Sequence, residues 1–323
     1  MIEKILPDLY KIEIPLPDNP LKSINSYVIK SPGRNLIIDT GMNRKECMAV
    51  MDFSLKELGI NLNKTDFFIT HLHADHCGLV SKLAADNSNI YCSQPDADII
   101  NSTNFWDRIK KFALMSGFPQ QELRELVEKH PGYKYSTTRF IDFNILKEGD
   151  MIKIGEYIFK CIETPGHTKG HMCLYEPNKK IMITGDHVIK EITPNISLWS
   201  YEENFLDDYL KSLDKVYELD VKLVLPGHRS IFRNLRERIK ELKHHHQTRI
   251  DEILSILEKE KGEKDAYQVA SQMSWALTYD SWEQFPSPQK WFATGEAAAH
   301  LKYLEGKGMI RRKTKGNRIC FFI

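Results

Sequence analysis

The chain lacks a long apolar run. Nowhere do roughly 18 or more apolar residues follow one another, which excludes an ordinary membrane-spanning helix. It also lacks a charge bias: Lys plus Arg total 45 against 44 Asp plus Glu in 323 residues. No overall field therefore draws it to nucleic acid or an anionic membrane, although a local basic patch stays open. Cysteine is scarce and scattered. The six thiols, at positions 47, 77, 92, 161, 173 and 320, include no C-x-x-C pair, which reads as reduced cytoplasmic thiols rather than a disulfide framework. The first residues, Met1–Asp8, carry acids and an early Pro7 where a secretory leader has an unbroken apolar core. Repeats and low-complexity tracts are missing too.

What is there alternates. A hydrophobic content of 41% suffices for a large buried core, and the length allows two domains. Apolar runs at 9–17, 25–31 and 35–41 read as strands, and Asn43–Gly59 has Met48, Met51, Leu55 and Leu58 at helical spacing with Gly59 as C-cap. Strand Asp66–Thr70, helix Cys77–Ala85, strand Asn89–Ser93 and a helix near 95–102 follow. Residues 103–132 break the rhythm as two helices split at Gly117-Phe118-Pro119 and ended by Pro131-Gly132. Strands then resume at Phe140–Leu146, Met151–Ile154, Tyr157–Glu163, Met172–Tyr175 and Ile181–Thr184. A helix near 203–218 leads to a last strand, Lys222–Leu225. This is an α/β layered pattern.

Beyond it, 231–262 is a long charged helical stretch. Residues 263–323 read as helix Asp265–Leu277, helix Thr294–Gly306 and a hairpin through Lys315-Gly316-Asn317. Helix, helix and hairpin is the layout of a winged-helix module. The expected division is a catalytic domain at 1–232 with the insertion at 103–132, a connecting helix at 233–262, and a small domain at 263–323.

The stretch Thr70-His71-Leu72-His73-Ala74-Asp75-His76-Cys77-Gly78 carries the densest chemistry. Two histidines two apart at a strand exit point the same way, because side chains alternate along extended backbone. The Asp-His pair after them starts a new turn and can face a second point. Four more segments, each closing an apolar run, add ligand types: Ile38-Asp39-Thr40-Gly41, Thr164-Pro165-Gly166-His167-Thr168-Lys169-Gly170-His171, Thr184-Gly185-Asp186-His187 and Leu225-Pro226-Gly227-His228. Imidazole and carboxylate together suit borderline divalent ions such as zinc, and also iron or manganese. Two such ions sharing a water lower its pKa to about 7 and polarise a substrate oxygen, so no Ser or Cys nucleophile is needed.

These five motifs, in this order, resemble the metallo-β-lactamase superfamily over residues 1 to about 232. The resemblance implies a four-layer αββα fold with a binuclear site, most simply two zinc ions. It implies that His71, His73 and His167 hold the first ion, that Asp75, His76 and His228 hold the second, and that Asp186 bridges them. Asp75 and Asp39 are the carboxylates it puts in catalytic service, Asp39 just outside the ligands and orienting their imidazoles. Antibiotic-hydrolysing members that bind two zincs commonly have cysteine where this chain has Asp186, so the likeness leans to the glyoxalase-type thioesterases and the RNA-processing nucleases. The layout with a C-terminal winged helix is similar to an endoribonuclease branch.

The leading expectation is hydrolysis of a small-molecule ester or thioester. Cleavage of single-stranded RNA, with Arg311, Arg312, Lys313, Lys315 and Arg318 of the hairpin on phosphates, stays open, as does a mono-iron persulfide dioxygenase using the first site. A DNA-binding regulator is the non-catalytic alternative, and a homo-oligomer is left open. His171 and His187 read as structural neighbours of ligands, and Cys77 as a small buried thiol. His244-His245-His246 reads as a solvated helix face, because consecutive helical residues point about 100° apart and cannot share one ion. Phe105, Trp106, Phe112, Met115 and Phe118 read mainly as packing for the insertion, with a lid as the alternative.

Overall fold

The computed structural model describes residues 1–137, 139–259, 262–276 and 279–323. The chain forms two compact units. One holds Met1–Ser102, Pro131–Pro194 and Ser212–Arg238, the other Thr103–His130, Asn195–Lys211 and Ile239–Ile323.

The first unit opens with β1 (Ile2–Leu6), β2 (Leu9–Pro15), β3 (Ser23–Ile29) and β4 (Asn35–Ile38), then α1 (Lys45–Glu57), β5 (Thr65–Phe68), α2 (Ala74–Cys77), α3 (Val80–Leu83), β6 (Ile90–Ser93) and α4 (Gln94–Ile100). The second unit takes α5 (Phe105–Met115) and α6 (Gln120–Lys129). The first resumes with α7 (Pro131–Lys134), β7 (Asn144–Leu146), β8 (Met151–Ile154), β9 (Tyr157–Glu163), β10 (Met172–Glu176) and β11 (Ile181–Gly185). After α8 (Phe205–Tyr217), β12 (Leu223–Pro226) and α9 (Leu235–Lys259), the chain ends with α10 (Ala266–Ala270), α11 (Ser287–Gly306), β13 (Arg311–Lys315) and β14 (Arg318–Phe322).

Strands β1 to β7 form a seven-stranded sheet in sequence order, and β12-β11-β10-β9-β8 a five-stranded one. In the larger sheet β1 to β4 run antiparallel and β4 to β7 parallel. Strands buried on both faces need apolar residues at every position, which is why β4 reads Leu36-Ile37-Ile38 and β5 ends in Phe67-Phe68. Alternation sends Ile37 and Phe67 to the helix side with Met51 and Leu55 of α1. Leu36, Ile38 and Phe68 face Phe159, Leu174 and Ile183 of the smaller sheet. On that sheet's other side lies the end of α8: Leu213 and Val216 are fully buried, Ser212 donates to the Pro165 carbonyl at 2.8 Å, and Lys215 to that of Glu163 at 2.7 Å. The layers run helix, sheet, sheet, helix, the expected αββα order. Truncating Phe68 to Ala at this inter-sheet seam costs roughly 3–5 kcal/mol.

Several boundaries differ from expectation for local reasons. The helix expected over Cys77–Ala85 is two short ones, because the Leu79 amide leaves the helix to bond Gly41 O at 3.0 Å. The strand expected from Phe140 starts at Asn144. Upstream, the Ile141 backbone is held by the Asn101 side chain, which accepts at 3.0 Å and donates at 2.9 Å, instead of by a ladder. Strand β1 was not expected at all. Helix α11 begins at Ser287 rather than Thr294, since Pro288 sits in its first turn, where a missing N–H costs nothing. Helix α10 is short, capped by a reciprocal Asp265–Gln268 box; Leu277, the expected end, lies outside the described residues, as do positions 260 and 261 of the long helix.

In the second unit the aromatic residues of the insertion pack on later chain. Phe118 meets Tyr267 and Trp291 at 5.7 and 5.6 Å between ring centres, and Phe112 meets Tyr201 at 5.0 Å. The histidine triplet of α9 corrects one reading. His244 is exposed, but His246 is 1% exposed and bonds His300 at 3.1 Å. A rotation of about 100° per residue separates the three rings from a common ion and equally carries one of them into the interior.

Candidate metal centre

Strand ends build the site. Strands β4 and β5 are parallel neighbours, so Asp39 after one lies beside Thr70-His71 after the other. Asp39 holds a left-handed backbone, φ 58°, a conformation few non-glycine residues adopt without compensating bonds. Its carboxylate supplies them. It accepts from the Thr70 amide at 2.9 Å, the Thr70 hydroxyl at 2.8 Å and His76 Nδ1 at 2.7 Å.

These bonds dictate where the imidazole protons sit. With its own proton given to Asp39, the Thr70 oxygen accepts from His71 Nδ1 at 3.0 Å. His228 Nδ1 lies 2.7 Å from the Ser23 carbonyl, which can only accept. In His71, His76 and His228 the Nδ1 atom is therefore the outward donor, and Nε2 is the atom turned to the centre. Strand β3 also grips the last loop: Asn25 Nδ2 and Tyr27 Oη both donate to the Pro226 carbonyl, at 3.0 and 2.8 Å. Gly227 is required there, since a Cβ would sit 2.6 Å from Asp186 Oδ1.

The structure brings all seven expected ligand residues together. His71 Nε2 and His167 Nε2 each lie 3.0 Å from His73 Nδ1. Asp75 Oδ2 lies 3.3 Å from His228 Nε2 and 3.9 Å from His76 Nε2. Asp186 reaches both groups, with Oδ1 3.5 Å from His76 Nε2 and Oδ2 3.7 and 3.5 Å from Nε2 of His167 and His228. Three overlapping triads result, His71–His73–His167, His71–His76–Asp186 and Asp75–His76–His228, each with ligand atoms within 4.8 Å of one another. Ligands about 2.0–2.1 Å from a tetrahedral ion stand about 3.3 Å apart, so these separations suit ions between them. His76 Nε2, Asp186 Oδ1 and His228 Nε2 are buried with no hydrogen-bond partner. Each such atom costs roughly 1–3 kcal/mol, and all three point at the same centre. The donor set fits divalent metal.

Electrostatics separates the two groups. Burial, then neighbouring imidazoles, lowers His71, and burial with His167 lowers His73 to about 3, so both are neutral donors of lone pairs. His228 is the reverse: burial opposes its protonation, yet Asp186 and Asp75 push it up to about 10. Burial likewise opposes ionisation of Asp75, but His76 and His228 bring it down to about 2.

Three further residues complete the frame. His171 Nε2 accepts from the Asp186 amide at 3.2 Å while Nδ1 donates to Thr164 Oγ1 at 2.8 Å, which makes it a support for Asp186, as expected. Cys77 Sγ turns to the Leu72 carbonyl at 3.3 Å and is raised to about 12 by burial, so it is no ligand. Asp96 was not singled out from the sequence. Fully buried in the first turn of α4, it looks like any acid at a helix start, and nothing local marks its distant partners.

The sequence model of the metallo-beta-lactamase superfamily matches residues 19–228, the span that holds every residue of this centre. The chain belongs to that superfamily. A probable metallo-hydrolase of Bacillus subtilis (strain 168) is 25% identical to it over 97% of both chains. An atrochrysone carboxyl ACP thioesterase of Emericella nidulans is 24% identical over 74% of this chain and 61% of its own. Among solved structures, a metallo-beta-lactamase family protein of Thermus thermophilus aligns over 99% of each chain with a TM-score of 0.80 and 25% identity. Membership makes the protein a metallo-hydrolase of this fold, with a histidine- and aspartate-rich centre suited to divalent metal. No helix among the described residues is long and apolar enough to cross a membrane.

Proposed function

We propose that this superfamily hydrolase uses two divalent ions, zinc foremost, to hydrolyse an ester or thioester of a small molecule. The observation that carries the reading is Asp186, whose two oxygens face the two ligand groups from between them. In this reading His71, His73 and His167 hold one ion and Asp75, His76 and His228 the other. Bound there, the ions supply Lewis acidity and a water activated near neutral pH. The residues supply orientation. Asp39 and the Ser23 carbonyl keep His76 and His228 turned inward, and Thr70 does so for His71. No thiol or hydroxyl nucleophile is needed, and Cys77 is turned away. The thioesterase named among the relatives supports the substrate class.

The hairpin weighs against RNA. Arg312 pairs with Glu305 at 2.8 Å, Arg318 with Asp265 at 3.0 Å, and Lys313 and Lys315 with Glu263. Four of its five cations are thus already answered by acids of the same unit, which leaves little charge for phosphates. A complete Asp75–His76–His228 group weighs against a mono-iron dioxygenase, which has no use for it.

The test is metal analysis of the purified full chain beside thioester, ester, phosphodiester and RNA substrates. Two ions per chain with thioester or ester turnover is the expected result. One iron with oxygen consumption, or turnover of RNA alone, would replace the reading.

A further inference from the structure

We propose that Asp96 is the positioning residue of the His71–His73–His167 group, a clamp that locks two ligand loops to each other. This rests on the two-ion reading. The Asp96 carboxylate accepts three hydrogen bonds, and all go to those loops: Leu72 N at 2.9 Å, Thr168 Oγ1 at 2.7 Å and Gly170 N at 2.8 Å. Leu72 separates His71 from His73, and Thr168 follows His167. Every ligand of the three-histidine group is therefore next in sequence to a residue that Asp96 holds.

The geometry is one of fixed peptide planes. A bond to Leu72 N sets the plane between residues 71 and 72, and so the directions in which both flanking imidazoles leave the backbone. Bonds to Thr168 and Gly170 do the same for the turn after His167. The two loops follow strands of different sheets, β5 and β9, and among the described residues no ladder joins them; one backbone bond, from Met172 N to Thr70 O at 2.9 Å, ties their flanks. Close approach reinforces the clamp. A Cβ on Gly170 would lie 2.7 Å from both Asp96 N and Asp96 Oδ1 and 2.2 Å from Ser93 Oγ, so the loop rests directly on the start of α4.

An acid in a helix's first turn ordinarily serves the helix's own amides; here the carboxylate is 0% exposed and serves others. Burying a carboxylate is costly, and three donors from two ligand loops are what hold it. None of its bonds reaches Asp75, His76, Asp186 or His228. The effect of losing it should therefore fall on one ion and spare the other. Outer partners of this kind typically change metal affinity about 10–100-fold.

The experiment is competitive Zn²⁺ titration against a chelating dye, with Co²⁺ absorption spectra, on the full chain. His228→Ala isolates the three-histidine group and His71→Ala the other. Asp96→Asn puts an NH2 where one of the three donors must find an acceptor. In the His228→Ala background it should weaken Zn²⁺ binding about 10–100-fold and shift the Co²⁺ spectrum, with Asp96→Ala worse. In the His71→Ala background the affinity should stay within about threefold. Thr168→Val, which removes one donor and keeps the carboxylate, should give a smaller loss at the same site, and it decides the matter if Asp96 variants do not fold. Unchanged affinity in the His228→Ala background, or equal losses in both backgrounds, overturns the clamp. A wild-type chain that binds only one ion refutes the two-ion reading instead, and the clamp then stands or falls on whether Asp96→Asn weakens that ion.

Discussion

Both units bury histidines, and among the described residues only the first gathers them into groups that could hold a metal ion. In the first unit the Nδ1 atoms of His71, His76 and His228 are spent outward on a hydroxyl, a carboxylate and a carbonyl, and the Nε2 atoms converge. In the second, His246 and His300 are wired in series. His300 Nδ1 donates to the Glu296 carbonyl at 2.8 Å, and its Nε2 lies 3.1 Å from His246 Nδ1. One ring's lone pair satisfies the next ring's proton, and the buried nitrogen left without a partner, His246 Nε2, belongs to no group of ligand atoms among the described residues. The acids differ in the same way. The ion-pair partners of Asp39, Asp75 and Asp186 are imidazoles alone among the described residues. Glu296 instead meets Arg249 at 3.3 Å, and Arg249 lies over Trp275 at 4.2 Å. Burial and histidine count do not make a metal site; the direction of the ring nitrogens and the lack of a Lys or Arg partner for the acids among the described residues do.

The largest test of that contrast is Asp186→Ala. Removing the one carboxylate that faces both groups should cost at least one ion by metal analysis and lower hydrolysis of an activated ester roughly a thousandfold or more. Two retained ions with normal turnover would end the assignment. Next comes Asp39→Asn, which keeps the shape but spoils the acceptor for His76 and Thr70; Zn²⁺ affinity should drop about 10–100-fold, measured by chelator competition. If it does not, inward orientation of the imidazoles is not set by that carboxylate.

The second unit answers to pH. Burial, then His300 and His245, lowers His246 below its ordinary 6.5, with Glu296 opposing and Arg249 adding to the depression; burial also lowers His300. The Tyr209 ring also lies against His246, at 5.4 Å between ring centres. The folded pair refuses protons that the unfolded chain takes up below about 6.5, so stability falls as pH drops through that value. Replacing both rings, His246→Phe with His300→Leu, should flatten the fall in melting temperature between pH 7 and 5 by several degrees. A slope equal to the wild type's would show that the pair carries no such penalty. The smallest effect belongs to the hairpin. Lys313→Ala should change stability by less than about 1 kcal/mol and leave RNA binding negligible, and salt-sensitive RNA binding lost in the variant would revive the nuclease reading.

Much of this was legible in the residues. The α/β alternation, the strand ends that carry ligands and the seven ligand candidates can be read because ligand chemistry is local: a histidine or aspartate at a glycine turn after an apolar strand is visible in a few letters. Partners far apart in the chain are not. Asp96 reads as a helix-start acid, Asn101 as a helix-end polar residue that in fact replaces a strand ladder, and His246 as part of a solvated triplet. Each gets its role from a partner that lies many residues away.

What the sequence alone determined is the inventory: which donor atoms exist, and on which strand ends they stand. Only the tertiary structure decided which nitrogen of each ring faces inward, and at what distances the oxygens of Asp186, which the resemblance already implied to be the bridge, face the two groups. It also assigned Asp96 to two ligand loops and put the insertion in one unit with the C-terminal residues. The reason is physical. Residue types and periodicities set what each segment can do, but a proton's position on an imidazole depends on the acceptor opposite it, and packing alone supplies that acceptor.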